Sequence, residues 1–100
     1  ENGDTAGGCL KVEKIKDPVF VASKNFFNQS GEIIGCPILG ESTESPLHIY
    51  VEMDENKGYI QCEQMKMLDL RVRGYKIIDR VKMADVINVT DAIQSIFDYI

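Results

Sequence analysis

One hundred residues with a net charge of −5 and 44% apolar side chains make one globular domain with a single modest core. No apolar run approaches membrane-spanning length and no signal-peptide pattern opens the chain, so a cytoplasmic protein is expected rather than a membrane-embedded or exported one. The acidic balance excludes indiscriminate binding to nucleic acid, and three scattered cysteines with one histidine argue for buried free thiols, with no metal site and no cofactor.

Residues 1–8 hold three glycines without periodicity and read as a flexible lead-in to a single domain spanning 9–100. Leu10 and Val12 alternate with Lys11 and Glu13 while Ile15 falls out of phase, the pattern of a lysine-guarded edge strand with a bulge. After Pro18, the wholly apolar run 19–22 suits an interior strand. Phe26 and Phe27, in a turn, read as rings capping one end of the core. Residues 33–38 give the next strand, and a polar loop follows from Gly40 to Pro46. Leu47, Ile49 and Val51 then share a strand face, which puts His48 on the opposite, exposed face. Asn56 and Gly58 suit a tight hairpin turn.

The stretch 58–73 organises the rest. Residues 59–62 read as a strand, and Glu63, Gln64 and Lys66 bring three hydrogen-bonding side chains to its far end. Met65, Met67 and Leu68 interleave them and should point inward. Arg71 and Arg73 are two apart, so on an extended backbone both guanidinium groups leave one face. That pair reads either as anion binders or as solvated arginines of a surface strand. Lys66, Arg71, Arg73, Lys76, Arg80 and Lys82 face only Asp69 and Asp79 in their window, a basic strip suited to a short anionic ligand.

Residues 75–81 give one more strand. The period then changes: Val86, Val89, Ile93, Ile96, Phe97 and Ile100 mark an amphipathic helix over 84–99. The expectation is a mainly β fold, a small SH3-like barrel of five to seven strands with a C-terminal helix outside it. Val21, Ile34 and Ile60 should lie in the barrel, and Val86, Ile93, Ile96 and Phe97 should be nearly buried.

Read together, these segments resemble the MazF/PemK toxins over residues 18–100. The segments are Pro18-Val19-Phe20-Val21-Ala22-Ser23, the Phe27-Asn28 turn, Gly35-Cys36-Pro37-Ile38, Gly58 through Glu63-Gln64-Met65-Lys66, and Leu68-Asp69-Leu70-Arg71-Val72-Arg73. The resemblance implies a PemK-like barrel that dimerises and acts as an endoribonuclease, or mRNA interferase, on single-stranded RNA. It also implies a cognate antitoxin whose disordered acidic peptide wraps the toxin and relieves growth inhibition. Gln64 matches the glutamine of the family's Glu/Asp-Gln pair, and Lys66, Arg71 and Arg73 are the further RNA- or antitoxin-binding candidates.

Two positions depart from the family. Asp17 stands before Pro18 where the family has a cleavage arginine, and Leu39 stands two residues after Pro37 where it has threonine or serine. No catalytic residue is therefore assigned. The alternative is a catalytically inactive homologue that acts by binding an antitoxin-like peptide or nucleic acid.

Overall fold

The computed structural model describes residues 6–24 and 30–98; Phe26 and Phe27, expected to cap one end of the core, and Tyr99 and Ile100 lie outside them. Among the described residues, seven strands precede one α-helix: β1 (Gly8–Val12), β2 (Val19–Val21), β3 (Glu32–Leu39), β4 (His48–Glu52), β5 (Lys57–Gln61), β6 (Lys66–Asp69), β7 (Tyr75–Arg80) and α1 (Met83–Ile96). The strands form one curled antiparallel sheet in the order β4-β5-β3-β2-β1-β7, with β6 also paired to β3. The mainly β fold with a C-terminal helix is as the sequence implied.

Strand β2 explains how the core is divided. Successive side chains of a strand point to opposite faces, so Phe20 leaves one side and Val19 and Val21 the other. All three are buried. Phe20 joins Cys9, Cys36, Ile38, Val51, Ile60 and Val89. Val19 and Val21 join Leu10, Val12, Ile33, Leu68 and Leu70. A sheet covered on both faces needs an apolar run without alternation, which is what this segment supplies.

The helix covers the Phe20 side, where Val89 is fully buried and Val86, Ala92 and Ile93 pack beside it. Val21 and Ile60 are buried as expected, but Ile34 is only half-buried, because alternation gives the buried place to Ile33. Val86, Ile93 and Ile96 are likewise half-buried. Phe97 is 54% exposed, contrary to expectation. It caps α1 beyond Ile96 and lies about 80° round the helix from Val89, off the covered stripe.

Strand β1 is an interior strand between β2 and β7, not an edge. Its bulge falls between Cys9 and Leu10, opposite β7. Backbone bonds from Gly7 to Val21 O (3.1 Å) and from Val81 to Gly7 O (3.0 Å) carry the sheet into the segment expected to be a lead-in. The end strands are β4 and β7. Asp79 of β7 spans them, its carboxylate accepting from the Asp54 and Glu55 backbone N–H (3.2 and 2.8 Å) and from Asn56 Nδ2 (2.8 Å). The two ends of the open sheet are thus clasped by a side chain.

Strand β3 positions the site. Its partner edge is one run of chain, β5 at one end and β6 at the other. Ile38 faces Ile60 while Gly35 faces Lys66, so three steps along β3 are matched by six along its partner. The surplus is a single 3-10 turn, Cys62–Gln64. It bulges outward because the ladder has no place for it.

Candidate functional site

The bulge sorts its three residues by environment. Cys62 is buried and its N–H donates to Leu47 O (2.9 Å), pinning the turn to the residue before β4. Glu63 and Gln64 are turned out, and Lys66 is exposed at the start of β6. Met67 is 56% exposed rather than inward-facing, because β6 resumes in the phase that buries Leu68.

Across from the bulge stands the turn between β1 and β2. Lys14 takes a left-handed backbone there, with φ 68°. Lys11 Nζ closes the turn by donating to the carbonyls of Ile15 and Lys16, both at 3.0 Å. Lys16 and Asp17 are thereby held over β3. A cavity of about 170 Å³ lies between, walled by Lys16, Asp17, Gln64 and Lys66 over a floor of Gly35, Pro37 and Leu68. Glycine at 35 lets the Val19 side chain of β2 pack against this floor, since a Cβ there would collide with it.

Of the residues singled out from the sequence, Gln64, Lys66 and Asp17 therefore come together. Arg71 and Arg73 do not join them, because the chain turns after Asp69 and the extended backbone that would align them is absent. Arg71 is bidentate to Asp69 (Nε to Oδ1 3.0 Å, Nη2 to Oδ2 2.9 Å), which holds that carboxyl below its usual range. Its stem lies over Gly31, whose φ of 94° and lack of Cβ make the space. Arg73 lines a separate depression of about 370 Å³ with Glu13, Lys14 and Val72, on the other side of the β1–β2 turn. Leu39 is half-buried opposite Tyr59 and does not line the cavity that holds Asp17.

His48 departs most from expectation. Its side chain is only 11% exposed, and both ring nitrogens are engaged. Nε2 lies 2.8 Å from Glu63 Oε2, and Nδ1 lies 2.7 Å from Thr43 O and 2.9 Å from Ser42 Oγ. A carbonyl and a carboxylate only accept, so this geometry is that of the protonated ring, with a hydrogen on each nitrogen. The Thr43 carbonyl first, and then Glu63, push the His48 pKa above its ordinary value. In return the His48 ring, aided by the Glu63 N–H and the Gln64 side chain, pulls the Glu63 pKa down.

Behind the ring, Gln61 is 2% exposed and donates to Ser42 Oγ and Tyr59 O, each at 3.0 Å. The Ser42–His48–Glu63 line has the connectivity of a hydrolytic triad but not its protonation. With Nδ1 donating, the ring has no lone pair to take the Ser42 proton, which is directed at the neutral Gln61 Oε1 (3.2 Å), so Ser42 is not an activated nucleophile. Ser42 and Gln61 carry no motif. The one sequence signal for the cluster is the hairpin register, which sets His48 opposite Gln61 with Glu63 two residues beyond.

Cys9, Cys36 and Cys62 are buried free thiols, as expected. Burial pushes their pKa values up to about 11, 12 and 11, so none is a ready nucleophile. No three His, Cys, Asp or Glu side chains among the described residues gather into a metal-holding cluster. None of the described helices is long and apolar enough to cross a membrane.

A family model described as "PemK-like, MazF-like toxin of type II toxin-antitoxin system" matches residues 11–97. Among solved structures, a MazE–MazF crystal structure from Deinococcus radiodurans superposes with a TM-score of 0.83 at 18% identity, covering 92% of this chain and 93% of that one. An endoribonuclease from a mycobacterial species gives 0.82 at 14% identity, covering 96% and 92%. A mycobacterial endoribonuclease in complex with its cognate antitoxin gives 0.75 at 13%, covering 90% and 88%. At these identities the structural likeness is one of fold. No curated protein sequence matches the chain.

Proposed function

The chain belongs to the PemK-like, MazF-like toxin family, and from that membership we propose that it is the toxin of a toxin–antitoxin pair. In this reading it works in the cytoplasm and binds single-stranded RNA in the groove of Gln64 and Lys66. An acidic antitoxin peptide would compete for the same face. The observation that carries the reading is the cavity itself, which brings the family-matched Gln64 and the candidate Lys66 beside Asp17, the position where the family has its cleavage arginine.

The same cavity argues that cleavage is weak. Attack on phosphorus by the RNA's own 2′-hydroxyl needs a group to take the proton and donors for the charge that builds up. Asp17 sets a carboxylate there, and farther along β3, outside the cavity, the side chain of Leu39 can neither donate nor accept a hydrogen bond. Losing one preorganised donor costs roughly 10²–10³ in rate, and reversing a charge should cost more. His48 cannot stand in as a base while both of its nitrogens are protonated.

The test is a long single-stranded RNA incubated with the unmodified chain and with the double change Asp17→Arg, Leu39→Thr. Binding by both, with cleavage measurable chiefly in the double variant, is expected. Robust cleavage by the unmodified chain would place the chemistry elsewhere, and an absence of binding in both would overturn the RNA reading.

Exposed Met83 (73%), Ile87 (53%) and Phe97 (54%) on and beside α1 support a homodimer, since a second copy would cover apolar surface. Sedimentation should give a dimer at micromolar concentration, and a monomer throughout would count against it.

A further inference from the structure

The cluster behind the bulge does not line the groove. Gln61, Ser42 and His48 are drawn in from β5, the polar loop and β4, and their bonds converge on Glu63, the neighbour of Gln64. Burying polar groups is unfavourable unless each finds a partner, and here every buried side-chain nitrogen and oxygen among the described residues has one. The backbone ladder between β4 and β5 already sets their register. What the cluster adds is the place and the charge of the turn that projects Gln64.

Glu63 is the point of leverage. An exposed carboxylate beside an anion-binding groove repels phosphate. His48 at 2.8 Å offsets that charge while it is protonated, and its bond keeps the Glu63 side chain turned toward β4. When the ring loses one proton it keeps a single N–H and no positive charge, so the Glu63 carboxylate next to Gln64 stands uncompensated. Glu63 is the charged side chain that acts on the ring; β5 contributes neutral Gln61, and the preceding loop neutral Ser42 and the Thr43 carbonyl. The helix, though packed against β4, adds no charged group to these.

We propose that His48 is a positioning residue: as an imidazolium bonded to Glu63 it fixes the turn that presents Gln64 and offsets the neighbouring carboxylate, so RNA binds this groove more tightly when His48 is protonated. The proposal rests on the RNA reading of the groove. Because its partners raise the His48 pKa, the proton is retained through the ordinary histidine range and lost only as pH climbs above it. Binding should therefore weaken in the alkaline direction.

The experiment measures binding of a fluorescein-labelled single-stranded RNA of about ten nucleotides, at constant ionic strength, from about pH 6 to pH 9. Affinity of the unmodified chain should fall by roughly two- to fivefold, the size expected of one partly exposed ion pair. His48→Gln should bind with the weaker, high-pH affinity at every pH. Glu63→Gln should keep the stronger affinity and lose the pH dependence, a result that a merely structural role for Glu63 would not give. A pH profile unchanged in His48→Gln overturns the proposal.

A second arm needs no ligand. In NMR spectra of the unmodified chain, the backbone amides of Glu63, Gln64 and Lys66 should shift with the same midpoint as the His48 ring. If they do not, the proposal fails even where RNA binds. If they do and no RNA binds at any pH, the coupling stands and it is the RNA reading that falls.

Discussion

Asp79 and Glu63 are both carboxylates that tie a turn to a strand, and they are satisfied in opposite ways. Asp79 is half-buried; burial alone would raise its pKa, but Asn56, and the backbone N–H groups of Glu55, Arg80 and Asp54, outweigh that and pull it to about 2. Those donors are neutral and carry their hydrogens at any physiological pH. Glu63 is exposed and leans on an imidazolium, a donor that itself titrates. The first arrangement closes a fold. The second places an adjustable charge at a rim. Where a carboxylate gets its protons from thus separates a structural role from a regulated one.

The largest expected effect breaks the first arrangement. Asp79→Asn replaces an acceptor oxygen with an NH₂ that opposes the clasp's N–H donors, leaving the β4–β5 turn untied from β7. Hydrogen bonds to a charged group contribute about 1.5–3 kcal/mol each when deeply placed and less near solvent, so a loss of about 1–3 kcal/mol in urea unfolding at neutral pH is expected. The pH dependence has a definite sign. With a folded pKa of about 2 against roughly 3.9 unfolded, the stabilisation is complete above that unfolded value and drains away as pH falls toward 2. The two proteins should converge in acid, and RNA binding at neutral pH should be the same in both. A variant with the parental midpoint at neutral pH would mean that the sheet ends are held by something other than this carboxylate.

These two sites also mark where sequence reading reached and where it stopped. The apolar runs of β2 and β3, the hairpin turn before β5 and the helical stripe are local patterns, and they located the elements within a few residues. The family resemblance of residues 18–100 was carried by the same local motifs. Neither the clasp nor the His48 cluster is local. Asp79 meets residues 23 to 25 positions away, and Glu63 meets His48 across 15. The bulge at Cys62–Gln64 exists only because β5 and β6 share one partner, and that shared pairing cannot be read from either strand. His48 looked like a surface residue for the same reason. Strand alternation turned it away from Val51, and only the fold brings Thr43 and Glu63 to cover it.

The smallest effect sharpens the distinction between a saturated charge and an available one. Arg71 and Arg73 are equal by type and nearly adjacent, yet Arg71 is neutralised by two bonds to Asp69 while Arg73 has no hydrogen bond or ion pair to another described residue. Only an uncompensated cation displaces counterions when a phosphate arrives. For a single strand each such contact adds about 0.7 to the slope of log affinity against log salt. Arg73→Ala should therefore flatten the slope by about that amount, if RNA crosses the β1–β2 turn from the Gln64 cavity into the depression that Arg73 lines. Arg71→Ala should leave the slope nearly unchanged and alter the local turn instead, since it strips Asp69 of its partner. Lys66→Ala, inside the cavity with Gln64, should act like Arg73→Ala. Equal flattening by both arginine variants would mean that the Arg71–Asp69 pair opens on binding. Flattening by Lys66→Ala alone would confine the RNA to the cavity and leave the outer depression without a part in it.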